Sequence, residues 1–188
     1  MMKYILLLSC LVLFSSTTFA GTIVEMKTSQ GTITLELNAE KAPISVANFL
    51  KYVDSKFYDG TIFHRVIGNF MIQGGGFDQQ DQRKKTNAQI KNEAANGLKN
   101  DAGTIAMART NVVDSASSQF FINLVNNNSL NHRGNGYGEF GYAVFGKVIA
   151  GMDVVEKIGK IKNIAKSNLL RNYPEPQVVV ESVRRIKK

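Results

Sequence analysis

The chain has 188 residues, a formal charge of +8 and 44% hydrophobic content, with one cysteine, two histidines and no tryptophan. A lone cysteine excludes a disulfide framework, and two histidines make a zinc centre of three or four clustered ligands unpromising. The densest basic clusters, Arg83-Lys84-Lys85 and Arg184-Arg185-Ile186-Lys187-Lys188, are not interleaved with aromatics, which favours solvated basic faces over a nucleic-acid groove.

Residues 1–20 resemble a secretory leader: Lys3 precedes an apolar stretch from Ile5 to Phe14, and Thr18-Phe19-Ala20 supplies small residues before a cut. The stretch is too short to span a bilayer, for which about 20 apolar residues are needed. A lipoprotein reading through Leu7-Leu8-Ser9-Cys10 competes, but leaves only nine residues ahead of the cysteine. Cleavage after Ala20 leaves residues 21–188, a soluble exported chain of one domain. It has a charge of +7, because Lys3 is the only charged residue removed. Cleavage also removes the cysteine, so stability rests on a packed core.

Thr22 to Lys27 and Thr32 to Leu37 form a hairpin through Ser29-Gln30-Gly31, the second run alternating Ile33, Leu35 and Leu37 against polar residues. Pro43 suits the first turn of a helix whose Ile44, Ala47, Leu50 and Val53 recur at helical spacing, with a stop near Asp59-Gly60. Ile62 to Ile67 and Phe70 to Gln73 are two strands joined by the tight pair Gly68-Asn69. Gly74 to Asn100 is rich in Gly, Asn, Gln and Lys and predicts a long functional loop. Strands follow at Thr104 to Ala108, Gln119 to Leu124, Ala143 to Ile149 and Gln177 to Val183, with a short helix over Met152 to Ile158. Many short strands favour a sandwich or a closed barrel, with the helices covering the ends of a barrel.

The hairpin of Ile62 to Gln73 places one cation, Arg65, among apolar neighbours and brings it near Phe70, Met71 and Gln73. An arginine there either snorkels to water or donates its planar fork to a partner that would otherwise be desolvated. The partner is a ligand in one reading and a carboxylate such as Asp59 in another. His64 alternates with Arg65 and faces the other way, and His132 lies in an Asn/Gly-rich loop, so neither is a ligand candidate. Glycines 74–76 lack the following Gly-Lys-Ser/Thr of a phosphate loop and are expected in a turn. Asn127-Asn128-Ser129 fits a glycosylation sequon only formally. Phe70, Met71 and Phe121 are ordinary core residues on composition alone.

Phe63 to Gly75 resembles the active-site signature of the cyclophilin-type peptidyl-prolyl isomerases. Two further blocks agree: Gly103-Thr-Ile-Ala-Met-Ala-Arg109 with Ser117-Ser-Gln-Phe-Phe-Ile-Asn123, and Phe140-Gly-Tyr-Ala-Val-Phe-Gly-Lys-Val148 with Gly151-Met152. The resemblance spans nearly all of residues 22–185 and is strongest to the exported bacterial branch. It implies a mainly β fold, a closed eight-stranded antiparallel β-barrel capped by two α-helices. It also implies an isomerase of X-Pro bonds in unfolded or flexible exported polypeptides. By the same resemblance Arg65 is catalytic, and Phe70, Met71, Phe121 and Leu130 form the pocket for the substrate proline. Gln73, Gln119 and Ala108-Arg109-Thr110 hold the peptide, and Tyr142 stands where many relatives have histidine. Ser129 stands where many have tryptophan, so cyclosporin-type macrocycles are expected to bind weakly.

No cofactor, metal, nucleic acid or membrane partner is expected for the mature chain. A monomer in the periplasm is the expectation, with proline-containing polypeptides as substrates. A non-catalytic holdase using the same groove is the alternative, and a basic adhesion factor acting through the charged clusters is a third reading.

Overall fold

A computed structural model describes residues 21–136, 138–168 and 170–186. The expected leader lies outside them, as do Lys187 and Lys188. The alternating pattern of the first hairpin makes two antiparallel strands, β1 (Thr22–Thr28) and β2 (Gly31–Leu37), with Ile33, Leu35 and Leu37 fully buried. The remaining long elements are α1 (Pro43–Asp54), β3 (Thr61–Ile67), β4 (Met71–Asp78), β5 (Thr104–Met107), β6 (Phe120–Asn123), β7 (Val144–Ala150) and α2 (Met152–Gly159). They are followed by β8 (Asn163–Ile164), β9 (Tyr173–Pro174) and β10 (Val178–Ile186).

Eight strands close into a barrel in the order β1-β10-β3-β4-β6-β5-β7-β2, every pair antiparallel. The barrel interior is filled by residues such as Met26, Leu35, Phe63, Ile72, Ile105, Phe120, Ile122, Phe145 and Val180. α1 adds Val46, Phe49, Leu50 and Val53 to that core, and α2 adds Val155 and Ile158. The expected eight-stranded barrel with two helices is therefore the fold. No helix among the described residues is long and apolar enough to cross a membrane.

Several local expectations are corrected. α1 ends at Asp54 rather than near Asp59, and Ile44 and Ala47 are exposed. The buried face is shifted onto Ser45, Val46, Phe49, Leu50, Tyr52 and Val53. The shift follows from what the helix N-terminus touches: Pro43 has no N–H, and the next two amides, Ile44 and Ser45, donate to the Glu93 carboxylate at 3.0 and 2.7 Å. The turn after β3 holds three residues, Gly68-Asn69-Phe70, because Ile67 pairs directly with Met71 and Phe70 N–H donates to Ile67 O. Asn69 takes the left-handed conformation that such a turn requires, φ 58°.

Glycines 74–76 lie inside β4, not in a turn. Gly75, at φ +80°, creates an irregular register that bulges the strand past β3. The loop from 79 to 103 is ordered by local pairings, a bridge from Phe77 to Arg83, another from Ile90 to Ala116, and a 3₁₀ turn at Ala94–Asn96. β8 and β9 form a separate two-stranded sheet that periodicity did not signal.

The basic clusters are partly structural. Arg184 pairs bidentately with Asp59 and Arg185 with Asp54, while Lys84 Nζ donates to Phe57 O and sits over the Phe57 ring. Arg184 and Arg185 stay exposed, as expected of solvated basic faces, while making these ion pairs, and only Lys84 is half-buried.

Candidate active site

Register alone aligns the candidate residues. Arg65 on β3 faces Gln73 on β4, Gln73 faces Phe121 on β6, Phe121 faces Ala106 on β5, and Ala106 faces Val144 on β7. Directly opposed residues share a sheet face, so these five make one transverse row. Ala108 N–H donates to Gln119 O, which places the Ala108–Thr110 segment beside that row.

The row carries an apolar cluster separate from the barrel core. Met71, Ala106, Phe121 and Val144 are its buried base, and Ile67, Phe70, Leu98, Ala108, Leu130 and Tyr142 pack on them half-buried. Phe70, Met71, Phe121, Leu130 and Tyr142 therefore meet in one place, and it is not the core that composition favoured. Tyr142 stands edge-on to Phe121, ring centroids 5.6 Å apart. Ser129 is exposed in a 3₁₀ turn, Asn128–Leu130, and leaves that flank without a large side chain.

The polar side of the site is a chain of three side chains. Arg65 Nη1 donates to Gln73 Oε1 at 3.2 Å, and Gln73 Nε2 donates to Gln119 Oε1 at 2.9 Å. Gly76 is what admits Gln119: a Cβ there would lie 2.4 Å from the Gln119 amide nitrogen. Among the described residues Arg65 has no carboxylate partner, and Asp59 is held by Arg184 instead. Burial pulls the Arg65 pKa down and nearby Tyr142 raises it, yet a guanidinium keeps its charge in a protein. The site thus offers a half-buried cation with unfilled donors beside an apolar floor. Arg109 lies on the other flank, its guanidinium carbon 4.7 Å from the centre of the Tyr142 ring. Thr110 is exposed and its Oγ1 donates to Ser115 Oγ.

The sequence reading missed the support beneath these walls. Asn127 is buried and donates to Phe70 O and Asn123 Oδ1; Asn123 donates to Asn100 Oδ1 and Thr104 Oγ1; Asn100 donates to Leu130 O and Tyr142 O. Three carboxamides thereby hold the backbone of three pocket residues. Asn123 and Asn127 are four residues apart, but Asn100 joins them from 23 residues away, and no periodicity links the three.

His64 packs against Phe77 on the opposite side of β3 and His132 Nδ1–H donates to Phe140 O, so neither ring joins the Arg65 row. Among the described residues no three His, Cys, Asp or Glu side chains gather as metal ligands. A cavity of about 1040 Å³ lies behind the site wall, bordered by Glu36, Leu98, Asp101, Val144 and Lys147. Its charges include the solvated pair Lys147–Glu36.

The family described as cyclophilin type peptidyl-prolyl cis-trans isomerase/CLD matches residues 23–185. The chain belongs to this family. A peptidyl-prolyl cis-trans isomerase of Acinetobacter baylyi is 55% identical over 92% of this chain and 89% of its own length. Peptidyl-prolyl cis-trans isomerase A of Dickeya dadantii is 51% identical over 93% and 89%. A cyclophilin-type isomerase of Cryptosporidium parvum, crystallised in the presence of the dipeptide Ala-Pro, superposes with a TM-score of 0.71 at 26% identity, covering 88% of this chain and 99% of that one. This cyclophilin is accordingly an isomerase of X-Pro peptide bonds, and the reading of the sequence as a family member stands.

Proposed function

We propose that the Arg65 groove is where this isomerase acts, and that its substrates are unfolded or flexible exported polypeptides whose folding waits on proline. The observation that carries the assignment is the half-buried Arg65, which has donors to spare and no carboxylate among the described residues, beside the Phe70, Met71, Phe121, Leu130 and Tyr142 cluster. The proline ring sits in the apolar cluster, and Gln73, Gln119 and the Ala108–Thr110 segment hold the backbone on either side. The Ala-Pro dipeptide present with the Cryptosporidium enzyme supports a proline-containing occupant.

Amide resonance sets a barrier of about 18 to 20 kcal/mol to rotation. Arg65 lowers it by hydrogen-bonding near the prolyl nitrogen, or to the rotating carbonyl, more strongly in the twisted state than in the planar one. Turning tens of seconds into milliseconds needs about 10⁴-fold, or about 5.5 kcal/mol. A charged hydrogen bond in a desolvated site and a shaped apolar pocket are of that order.

Residues 1–20 act as a cleaved leader, residues 21–188 form the mature domain, and the periplasm is its compartment. The basis is the charged, apolar and small-residue order of that segment. The bare Ser129 flank leaves cyclosporin-type macrocycles weakly held, and the mature chain works as a monomer without cofactor.

The test is a cis-to-trans assay on a short X-Pro peptide with residues 21–188 and an Arg65→Ala variant checked by circular dichroism. The expected result is acceleration by the wild type and a loss of at least about tenfold in the variant. A folded variant with full activity would move the chemistry away from Arg65. Peptide binding that survives in the variant while turnover is lost separates the enzyme from a holdase. An N-terminal sequence beginning at Gly21 in a periplasmic extract tests the leader.

A further inference from the structure

Arg109 is held on three sides by uncharged groups. Its Nε–H donates to Gly141 O at 2.9 Å, its Nη1 donates to Thr110 O at 2.8 Å, and its guanidinium carbon lies 4.7 Å from the centre of the Tyr142 ring. None of these neutralises the cation, and among the described residues no carboxylate lies within ion-pairing distance of it. The acidic group on the same loop, Asp114, turns to the Asn92 backbone N–H at 2.8 Å. Asn92 in turn shares the Gly141 carbonyl with Arg109. Arg65, on the opposite flank of the apolar cluster, likewise donates to a neutral acceptor, Gln73.

We infer that this site selects peptides carrying an aspartate or glutamate side chain beside the proline, and that Arg109 is the residue that reads it. The inference rests on the proposed course of the peptide over Ala108–Thr110. A guanidinium fixed in place gives up little rotamer freedom when it pairs, and its planar fork suits a carboxylate. Tyr142, which carries Arg109 on its face, also stands edge-on to the Phe121 floor. The charge is therefore set at the rim of the pocket that receives the ring. A lysine side chain at the same peptide position meets Arg109 with like charge, so the discrimination has a repulsive half as well.

The experiment compares kcat/KM for X-Pro peptides bearing Glu, Gln or Lys at each position flanking the proline, followed by NMR exchange so that no protease is needed. Wild type, Arg109→Gln, Arg109→Lys and the exposed-loop control Lys85→Gln are compared at low and high salt. At one flanking position Glu exceeds Lys by about threefold to fivefold at low salt, the size of a solvent-accessible ion pair, and the ratio shrinks as salt is added. The ratio falls towards one in Arg109→Gln, persists in part in Arg109→Lys and is unchanged in Lys85→Gln. A wild-type ratio of one at every position overturns the inference. So does a ratio that survives Arg109→Gln, since the preference would then belong to Arg65 or to net charge. Failure to accelerate any of the peptides would overturn the groove assignment along with it; acceleration without preference overturns the charge selection alone.

Discussion

Arg65 and Gln73 face each other across the β3–β4 ladder, and the guanidinium spends one donor on the Gln73 carbonyl oxygen at 3.2 Å. The bond orients Arg65 without neutralising it. A carboxylate in the same place would do both. Gln73→Glu is therefore expected to lower kcat/KM at least about tenfold, because Arg65 is drawn into an ion pair and its donors are withdrawn from the rotating amide. The fold should be unaffected, since Gln73 is half-exposed. Isomerase kinetics beside a thermal melt check both halves, and undiminished activity in Gln73→Glu would show that Arg65 acts without free donors.

Glu93 caps α1 from 48 residues away, accepting from the Ile44 and Ser45 amides and from Ser45 Oγ. Glu93→Ala leaves those groups unpaired at the positive end of the helix dipole. A loss of about 1 to 2 kcal/mol is expected, read as a lower urea midpoint at unchanged m-value. Because the same carboxylate ties down the loop, hydrogen exchange should rise around residues 90–96 as well as in the first turn of α1.

His64 is expected to make the protein acid-sensitive. Burial first, then the adjacent Arg65 charge, lower its pKa from 6.5 to about 4, and its Nδ1 has no partner. Between those values the unfolded chain takes up a proton that the folded chain refuses. Stability from this residue is complete above pH 6.5 and declines as pH falls to 4, by up to about 3 kcal/mol. Urea midpoints from pH 7 to pH 4 should fall less steeply in His64→Leu. Parallel slopes in the two proteins would count against a buried neutral imidazole.

Asn127 supports a pocket wall rather than a substrate. Its amide donates to Phe70 O at 2.8 Å and Asn123 Oδ1 at 2.7 Å. Asn127→Ala is expected to cost about 2 kcal/mol, the penalty of unpaired buried acceptors. It should raise KM more than it lowers kcat, since the Phe70 turn loosens while Arg65 keeps its partner. A variant as stable as the wild type would mean that water replaces the amide.

Where side-chain period decides, the sequence was readable. Ile33, Leu35 and Leu37 alternate into the core as their spacing predicts, whereas Arg65 meets Gln73 only because the turn holds three residues: the two-residue turn expected would have set it opposite Ile72. Where distant partners decide, it was not. The face of α1 turns because of Glu93, Asp59 pairs with Arg184 rather than Arg65, and the β4 glycines form a bulge that composition cannot distinguish from a turn. That Phe121 and Met71 face outward while neighbouring Phe120 and Ile72 face inward follows from strand alternation. That the outer set collects beside Arg65, which has no carboxylate partner among the described residues, follows from the family resemblance and from the register.

Closure of the barrel has a consequence if the clients are the unfolded chains proposed above. Such clients are rich in unsatisfied backbone groups and add readily to any open strand edge. β1 pairs with β10 on one side and β2 on the other, and the ring has no first or last member. Among the described residues the barrel strands therefore offer such a chain no free edge to extend, and only the short β8–β9 sheet keeps unpaired edges.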